Sequence, residues 1–322
     1  MSYKIFLDGG AGTTGLQIAD RLAVRNDIEI LVLGEEERKQ TAARKAAMAE
    51  ADITILCLPD EAAIEAVQMA AELQGDIRRD IRRDIRLIDA SSAHRIHADF
   101  VYGFAEMTKT QAEKIANARY VSNPGCYPTG FIALARPLIE AGLLAPETRL
   151  TAPSVSGYSG GGKAMIARYE AGDAPAFGTY GLSLAHKHLP EMQKHSGLKD
   201  KPVFLPSVGQ FAQGMLVNIP LHQAQFTKAV SADDILKCYQ AAYQDALLIS
   251  VMDASALDAH NFLVAEKLAG RDIMELCVFA NAEASQFVLT ARLDNLGKGA
   301  AGAAVQNMNL MLGIDSVSGL QL

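Results

Sequence analysis

The stretch "KIFLDGGAGTTGLQIADRLAV", residues 4–24, narrows the possible folds more than any other. An apolar run of strand length, residues 4–8, breaks on glycines and passes at once into an amphipathic helix through Ile18 and Leu22. Gly10, Gly12 and Gly15 fall in a G-x-G-x-x-G pattern. Glycines at such a junction let the backbone turn tightly and approach a pyrophosphate, which the helix N-terminus then holds. The glycine pattern alone is weak, but strand before and helix after strengthen it. This beginning commits the chain to a parallel α/β sheet with a dinucleotide loop.

The next segments extend that sheet. "IEILVL" is a second strand ending at Leu33, followed by "GEEERKQTAARK". An NAD site usually carries an acidic ribose reader near this strand end. Glu35 is a candidate, but Arg38 and Lys39 follow at once, and a basic pair suits a 2′-phosphate, so the balance favours NADP. The competing reading is a solvated helix start, with Glu35–Glu37 complementing the dipole. "ADITILCLPDEAAIEAVQMAAEL" and "IRLIDASSAHRI" add strand, helix and strand, and the alternation predicts a doubly wound parallel sheet. Between them "DIRRDIRRDIRL" repeats a four-residue unit, with Ile77, Ile81 and Ile85 four apart. It reads as an expanded surface connection outside any pocket.

A chain of 322 residues has room for two domains. The formal net charge of -7 argues against nucleic acid as the main partner. No stretch is long and apolar enough to span a membrane, and the start runs straight into a strand, leaving no room for a leader. The four cysteines, at 57, 126, 238 and 277, form no CxxC pair, which suits a reducing cytoplasm better than a disulfide framework. Cys57 and Cys277 lie in apolar strand-like runs, and Cys238 lies in a helical pattern. Cys126 alone sits in turn chemistry, "SNPGCYPTG". One reading is a small buried residue at a tight corner. The other is a nucleophile at a helix start, the chain turning helical after Pro128, where backbone N–H groups and the dipole favour a thiolate.

Further on, "SVSGYSGGGKAMIARY" runs from strand through glycine-rich turn to helix. Ser156, Tyr158, Ser159 and Lys163 there can bind an anionic group with backbone N–H groups. His186 and His188, in "HKHLPEM", alternate across a short stretch, so as a strand they point in opposite directions. Either can serve Cys126, or the two are a polar surface pair. No metal site is expected, for zinc needs more ligands than lie near. "KPVFLPSVGQFAQGMLVNIPLH" and "IMELCVFANAEASQFVLTARLDN" read as strands of a second sheet, with a helix from a Ser231 N-cap between them. The small-residue helix after "NLGKGAAG" is expected to pack back on the first domain.

In order along the chain, "GGAGTTG", "IDASSAHR", "SNPGCYPTG", "SGYSGGGK", "HKHLPEM" and "DNLGKGAAGAAVQNMN" resemble the shorter type of N-acetyl-gamma-glutamyl-phosphate reductase. That family is similar in plan to aspartate-semialdehyde and glyceraldehyde-phosphate dehydrogenases. The resemblance implies a Rossmann-type NADP-binding domain over 1–125. A second α+β catalytic and oligomerisation domain, of the glyceraldehyde-phosphate-dehydrogenase-like kind, spans 126–296, and a returning helix 297–322. It puts the nucleophile on Cys126 and the catalytic histidine on His188, with His186 the alternative. The dinucleotide loop falls on Gly10, Gly12, Thr13, Thr14 and Gly15, with Arg38 and Lys39 beyond it. Ser91, Asn295, Gly297 and Gly299 join the cofactor side, and the substrate side takes Ser156, Tyr158, Ser159 and Lys163. The implied reaction is reduction of an acyl phosphate to an aldehyde through a thioester, in arginine biosynthesis, by a homodimer or homotetramer. The close alternative is aspartate-semialdehyde chemistry on the same thioester; a noncatalytic dinucleotide-binding protein is the rival of another class.

Overall fold

Alternation of side chains along β1 (Tyr3–Asp8) organises the first half of the chain. Ile5 and Leu7 point to one face of the sheet and Phe6 to the other, and all three are buried. The structure, a computed structural model, describes residues 2–80 and 84–322. The exposure expected for the Asp-Ile-Arg-Arg repeat falls outside the described residues. Residues group into two compact units, one of Met1–Ala105, Thr110–Pro124 and Ala300–Leu320, the other of Glu106–Lys109, Gly125–Gly299 and Gln321–Leu322.

In the first unit, β1 is followed by α1 (Thr13–Ala23), β2 (Ile28–Leu31), α2 (Thr41–Glu50), β3 (Ile53–Leu56), α3 (Asp60–Asp80), β4 (Leu87–Asp89), β5 (Val101–Tyr102), α4 (Gln111–Ala116) and β6 (Tyr120–Ser122). Among the described residues the six strands lie in the order β2-β1-β3-β4-β6-β5, every pair parallel. Ile5, Leu7, Ile53 and Ile55 pack with Ile18 and Leu22 of α1 and Ile115 of α4. Phe6, Leu56 and Leu87 pack on the other face with Ala47, Met48, Ala66 and Ala70 of α2 and α3. Strands buried on both faces read as apolar runs, and this sheet is doubly wound as the alternation implied. The last helix, Gly302–Leu312, belongs to this unit: Ala304, Val305, Met308 and Met311 enter the first of these two clusters.

The second unit opens with α5 (Cys126–Glu140) and continues through β7 (Thr151–Gly157), α6 (Gly162–Glu170), β8 (Phe177–Thr179), α7 (Leu189–Ser196), β9 (Val203–Gly209), β10 (Met215–His222), α8 (Ala232–Tyr243), β11 (Ile249–Met252), β12 (Met274–Ala280) and β13 (Gln286–Leu293). Among the described residues its seven strands run β11-β12-β13-β10-β7-β9-β8 in mixed directions. α5 lies close on this sheet because Gly130 has no side chain. A Cβ there would meet Val217 Cγ2 at 2.9 Å and Ala291 Cβ at 3.1 Å. Pro137 inside α5 removes the hydrogen bond that would reach Ala133 O. The Tyr243 hydroxyl of α8 donates to that carbonyl at 2.8 Å, and Tyr239, one turn earlier, donates to Leu134 O at 2.8 Å. Ser231 caps α8 as its sequence predicted, its Oγ accepting from Asp234 N–H at 3.2 Å. Among the described residues no helix is long and apolar enough to cross a membrane.

Candidate active site

Cys126 is the first residue of α5, two positions earlier than the proline suggested, and it is half-buried. Pro128 therefore occupies the first turn, where its missing N–H has no intrahelical partner to lose. No side chain caps this helix. Gly125 serves instead, its carbonyl accepting from Thr129 N–H at 3.0 Å and Thr129 Oγ1 at 2.9 Å. Its own N–H donates at 3.1 Å to Oε2 of Glu191, a carboxylate only 1% exposed on α7. The thiol thus stands at the positive end of a 15-residue helix whose entry angle is fixed from both sides.

The histidine pair departs from the strand expectation. Residues 186–189 turn into α7, the Leu189 N–H donating to His186 O at 3.0 Å, so His186 and His188 converge instead of facing apart. Their rings meet edge to face with centroids 4.6 Å apart, and the His188 N–H donates to His186 Nδ1 at 3.2 Å. Tyr127, next to Cys126 in the chain, brings its ring within 6.2 Å of His188. Its hydroxyl donates to Ser207 O at 2.9 Å. Tyr180 packs its ring 6.0 Å from His186. Burial, opposed by its hydrogen bond with Tyr127 and aided by nearby Cys126, pushes the Tyr180 phenol up to about 12. Burial first, and then Tyr180, hold Tyr127 well above the ordinary tyrosine range. Both phenols stay protonated donors beside the cysteine. Tyr180 and Glu191 went unmarked in the sequence. The available signals were an aromatic residue between glycines in "GTYGLS" and an acid one turn after His188.

In the first unit the glycine loop leaves β1 as expected, but the strongest backbone demand falls on Gly9. Its φ is +85°, and a Cβ there would stand 2.5 Å from Cys57 O. At Gly15 a Cβ would lie 2.7 Å from Gly10 Cα, whereas one on Gly10 would reach only ordinary contact with Leu7. Gly12 N–H closes the loop onto Gly9 O at 3.1 Å. Thr13 and Thr14 open α1, which has no acidic residue in its first turn. The Thr13 Oγ1 is buried without a hydrogen-bond partner. A helix start with an unused hydroxyl and no acid suits an anion such as a pyrophosphate. Arg38 and Lys39 are exposed on a 3₁₀ turn, Arg38 paired with Glu35 at 2.7 Å. Ser91 is held by Asp89, to which its N–H and Oγ donate at 2.8 and 2.7 Å, beside His94 Nδ1 at 2.6 Å from the same carboxylate.

Comparison with known proteins decides the family. Residues 126–295 match the model described as "Semialdehyde dehydrogenase, dimerisation domain". The chain is 50% identical to an N-acetyl-gamma-glutamyl-phosphate reductase of Rhizobium etli, covering 97% of this chain and 99% of that one. It is 48% identical to one of Brucella suis, covering 97% and 100%. The chain belongs to the N-acetyl-gamma-glutamyl-phosphate reductase family. Aspartate semialdehyde dehydrogenase II of Vibrio cholerae shares the fold, with TM-score 0.71 at 16% identity over 97% of this chain and 99% of that one. An aspartate semialdehyde dehydrogenase of Candida albicans, solved with NADP, gives TM-score 0.69 at 14% identity over 97% and 99%.

Within this reductase frame the remaining predicted residues divide. Ser156 and Ser159 are buried; Ser156 Oγ donates to Gly157 O at 3.0 Å and Ser159 Oγ accepts from Asn295 Nδ2 at 2.9 Å. Asn295 Oδ1 also accepts from Gly214 N–H at 3.0 Å, so its amide ties the end of β13 to the turn after β7. Tyr158 stacks on Tyr169 at 4.8 Å, and Lys163 stands exposed on α6. Gly297 has no room for a side chain against the Arg271 carbonyl. Gly299 lies against Cys126 and has none either.

Proposed function

We propose that the chain reduces N-acetyl-gamma-glutamyl phosphate to N-acetylglutamate 5-semialdehyde with NADPH, through a thioester on Cys126, as a step of arginine biosynthesis. The observation that carries this is Cys126 at the start of α5, beside two protonated phenols whose rings approach the converged histidines. The Cys126 sulfur attacks the acyl phosphate carbonyl carbon. A C–S bond forms, the carbon–oxygen bond to phosphate breaks, and inorganic phosphate leaves. Covalent capture replaces one hard substitution by two easier steps. Bound NADPH supplies the hydride that turns the thioester into the aldehyde. The thiolate is the leaving group, and His188, with His186 the alternative, moves the proton. First-turn N–H groups of α5 and the Tyr180 hydroxyl stabilise the oxygen of the tetrahedral state.

The first unit suits the cofactor: Gly9 and Gly15 keep the loop open where a Cβ would fill it, and Thr13 Oγ1 offers an unused donor. Arg38 and Lys39 favour NADPH over NADH. Ser156, Tyr158, Ser159 and Lys163 supply the substrate's anion side. The match of 126–295 to a dimerisation domain supports a homodimer or homotetramer built through the second unit.

The deciding assay runs in the oxidative direction with NADP, phosphate and either N-acetylglutamate semialdehyde or aspartate semialdehyde. NADPH should form strongly with the first and weakly with the second. Preference for aspartate semialdehyde refutes the substrate, and near-normal turnover in Cys126→Ala refutes the thioester.

A further inference from the structure

Asp8 closes β1 immediately before the glycine loop, and its carboxylate is only 3% exposed. Arg44, from α2 and itself buried, grips one of its oxygens, with Nε at 3.0 Å and Nη2 at 2.6 Å from Oδ2. Gly9 follows in the left-handed region, and Gly12 N–H folds back on Gly9 O. The loop read above as the pyrophosphate cradle therefore springs directly from a buried acid. An uncompensated anion there repels an incoming diphosphate, and low solvent access keeps that repulsion strong. The Cys57 thiol, in the residue that follows β3, also feels the Asp8 carboxylate. Burial and the Asp89 and Asp8 carboxylates push it up to about 12, so it adds no charge. The charged residues of the β2–α2 connection, Glu35 to Lys39, are exposed to solvent.

We propose that Arg44 is a positioning residue for the dinucleotide: by cancelling the charge of Asp8 it lets the Gly9–Gly15 loop accept the pyrophosphate anion. The proposal rests on the dinucleotide reading of that loop. A rival role is also open to Arg44. Phe6 pairs with Leu31, which puts Asp8 abreast of Leu33, near the strand end where ribose or its 2′-phosphate is read. The two roles differ in which cofactors suffer. Pyrophosphate is common to NADPH and NADH, whereas a 2′-phosphate belongs to NADPH alone.

Burial raises the Asp8 carboxyl above its ordinary value, and Arg44 opposes that rise. Without Arg44 the carboxyl rises further, so the repelling anion is present at high pH and is neutralised by a proton at low pH. The test titrates the full chain with NADPH and with NADH, by calorimetry or cofactor fluorescence, at about pH 6 and about pH 9, each variant compared with wild type at the same pH. Arg44→Met should weaken both cofactors by about tenfold at the higher pH and much less at the lower. Adding Asp8→Asn to Arg44→Met should restore both. A loss confined to NADPH, a loss equal at both pH values, or a double variant as weak as Arg44→Met overturns the proposal. Should Arg44→Met fail to fold, Asp8→Asn alone decides, for it must bind both cofactors at least as tightly as wild type. A wild-type chain that binds neither cofactor removes the dinucleotide reading itself.

Discussion

Gly299 backs directly onto Cys126: a Cβ built on it would stand 2.8 Å from the Cys126 Cβ and 3.2 Å from its Cα. The same Cβ would lie 3.0 Å from Asp294 O, so it has no direction in which to yield. Gly299→Ala must therefore displace either the turn before the last helix or Cys126, the proposed nucleophile. Overpacking of this kind costs about 1–3 kcal/mol. Steady-state turnover should fall at least about tenfold, because a displacement of about 1 Å at a reacting group is already that costly. A variant with unchanged kcat contradicts the assigned packing.

Much of this was legible in the sequence, for physical reasons that differ by residue. Strands buried on both faces leave uninterrupted apolar runs, so "KIFLD" and "ITIL" announced the parallel sheet. Cys126 was conspicuous because prolines and glycines surround it. The convergence of His186 and His188 was not legible, since a two-residue spacing means opposite faces only in a strand. A turn ahead of Pro190 folds both to one side. The need for glycine at Gly9 comes from Cys57 O, nearly fifty positions away in sequence, so no local pattern shows it. Likewise, nothing local revealed that Asn295 spends its amide on Ser159 and Gly214.

Pro137 gives a stability prediction. Its missing N–H leaves Ala133 O to the Tyr243 hydroxyl, and both groups are buried. Tyr243→Phe should cost about 1–3 kcal/mol, the penalty for a buried carbonyl left without a donor. Tyr239→Phe should cost less, because Leu134 O sits where the regular helix ladder offers a second donor. Urea unfolding of the two variants compares them directly, and an equal loss would contradict the role given to Tyr243.

Stability should fall in alkali. Burial, the largest cause, raises Cys277 from 9.0 to about 11 and Tyr180 from 10.0 to about 12. The folded chain then keeps protons that the unfolded chain has released, and stability declines as pH rises wherever the native state binds more protons. The contribution is complete below about pH 9 and lost progressively towards about pH 12. Denaturant midpoints measured from about pH 8 to about pH 11 should hold steady and then drop. A constant midpoint throughout argues against protonated, buried groups at these positions.

The proposed preference for NADPH rests on Arg38 and Lys39 of the exposed 3₁₀ turn. The Arg38–Glu35 pair at 2.7 Å is solvent-accessible, and such pairs contribute about 0–1 kcal/mol. A 2′-phosphate can therefore draw Arg38 away at little cost. The Arg38→Ala, Lys39→Ala double variant should lose severalfold in affinity for NADPH and little for NADH. Parallel titrations of both cofactors measure this, and equal wild-type affinities would refute the preference.

The histidines separate by geometry. His188 is 7% exposed, immediately precedes α7 and lies against Tyr127, whereas His186 is half-buried and accepts the His188 N–H at Nδ1. A proton-transfer role for His188 predicts that His188→Asn lowers kcat by about 10²–10⁴-fold, the usual worth of a general acid or base. His186→Asn, which removes an acceptor from a backbone N–H, should lower it by much less. The pH–rate profile distinguishes transfer from support. The limb that reports the proton-transferring group should persist in His186→Asn and disappear in His188→Asn. The reverse pattern would assign the proton to His186 and leave His188 as the residue that orients it.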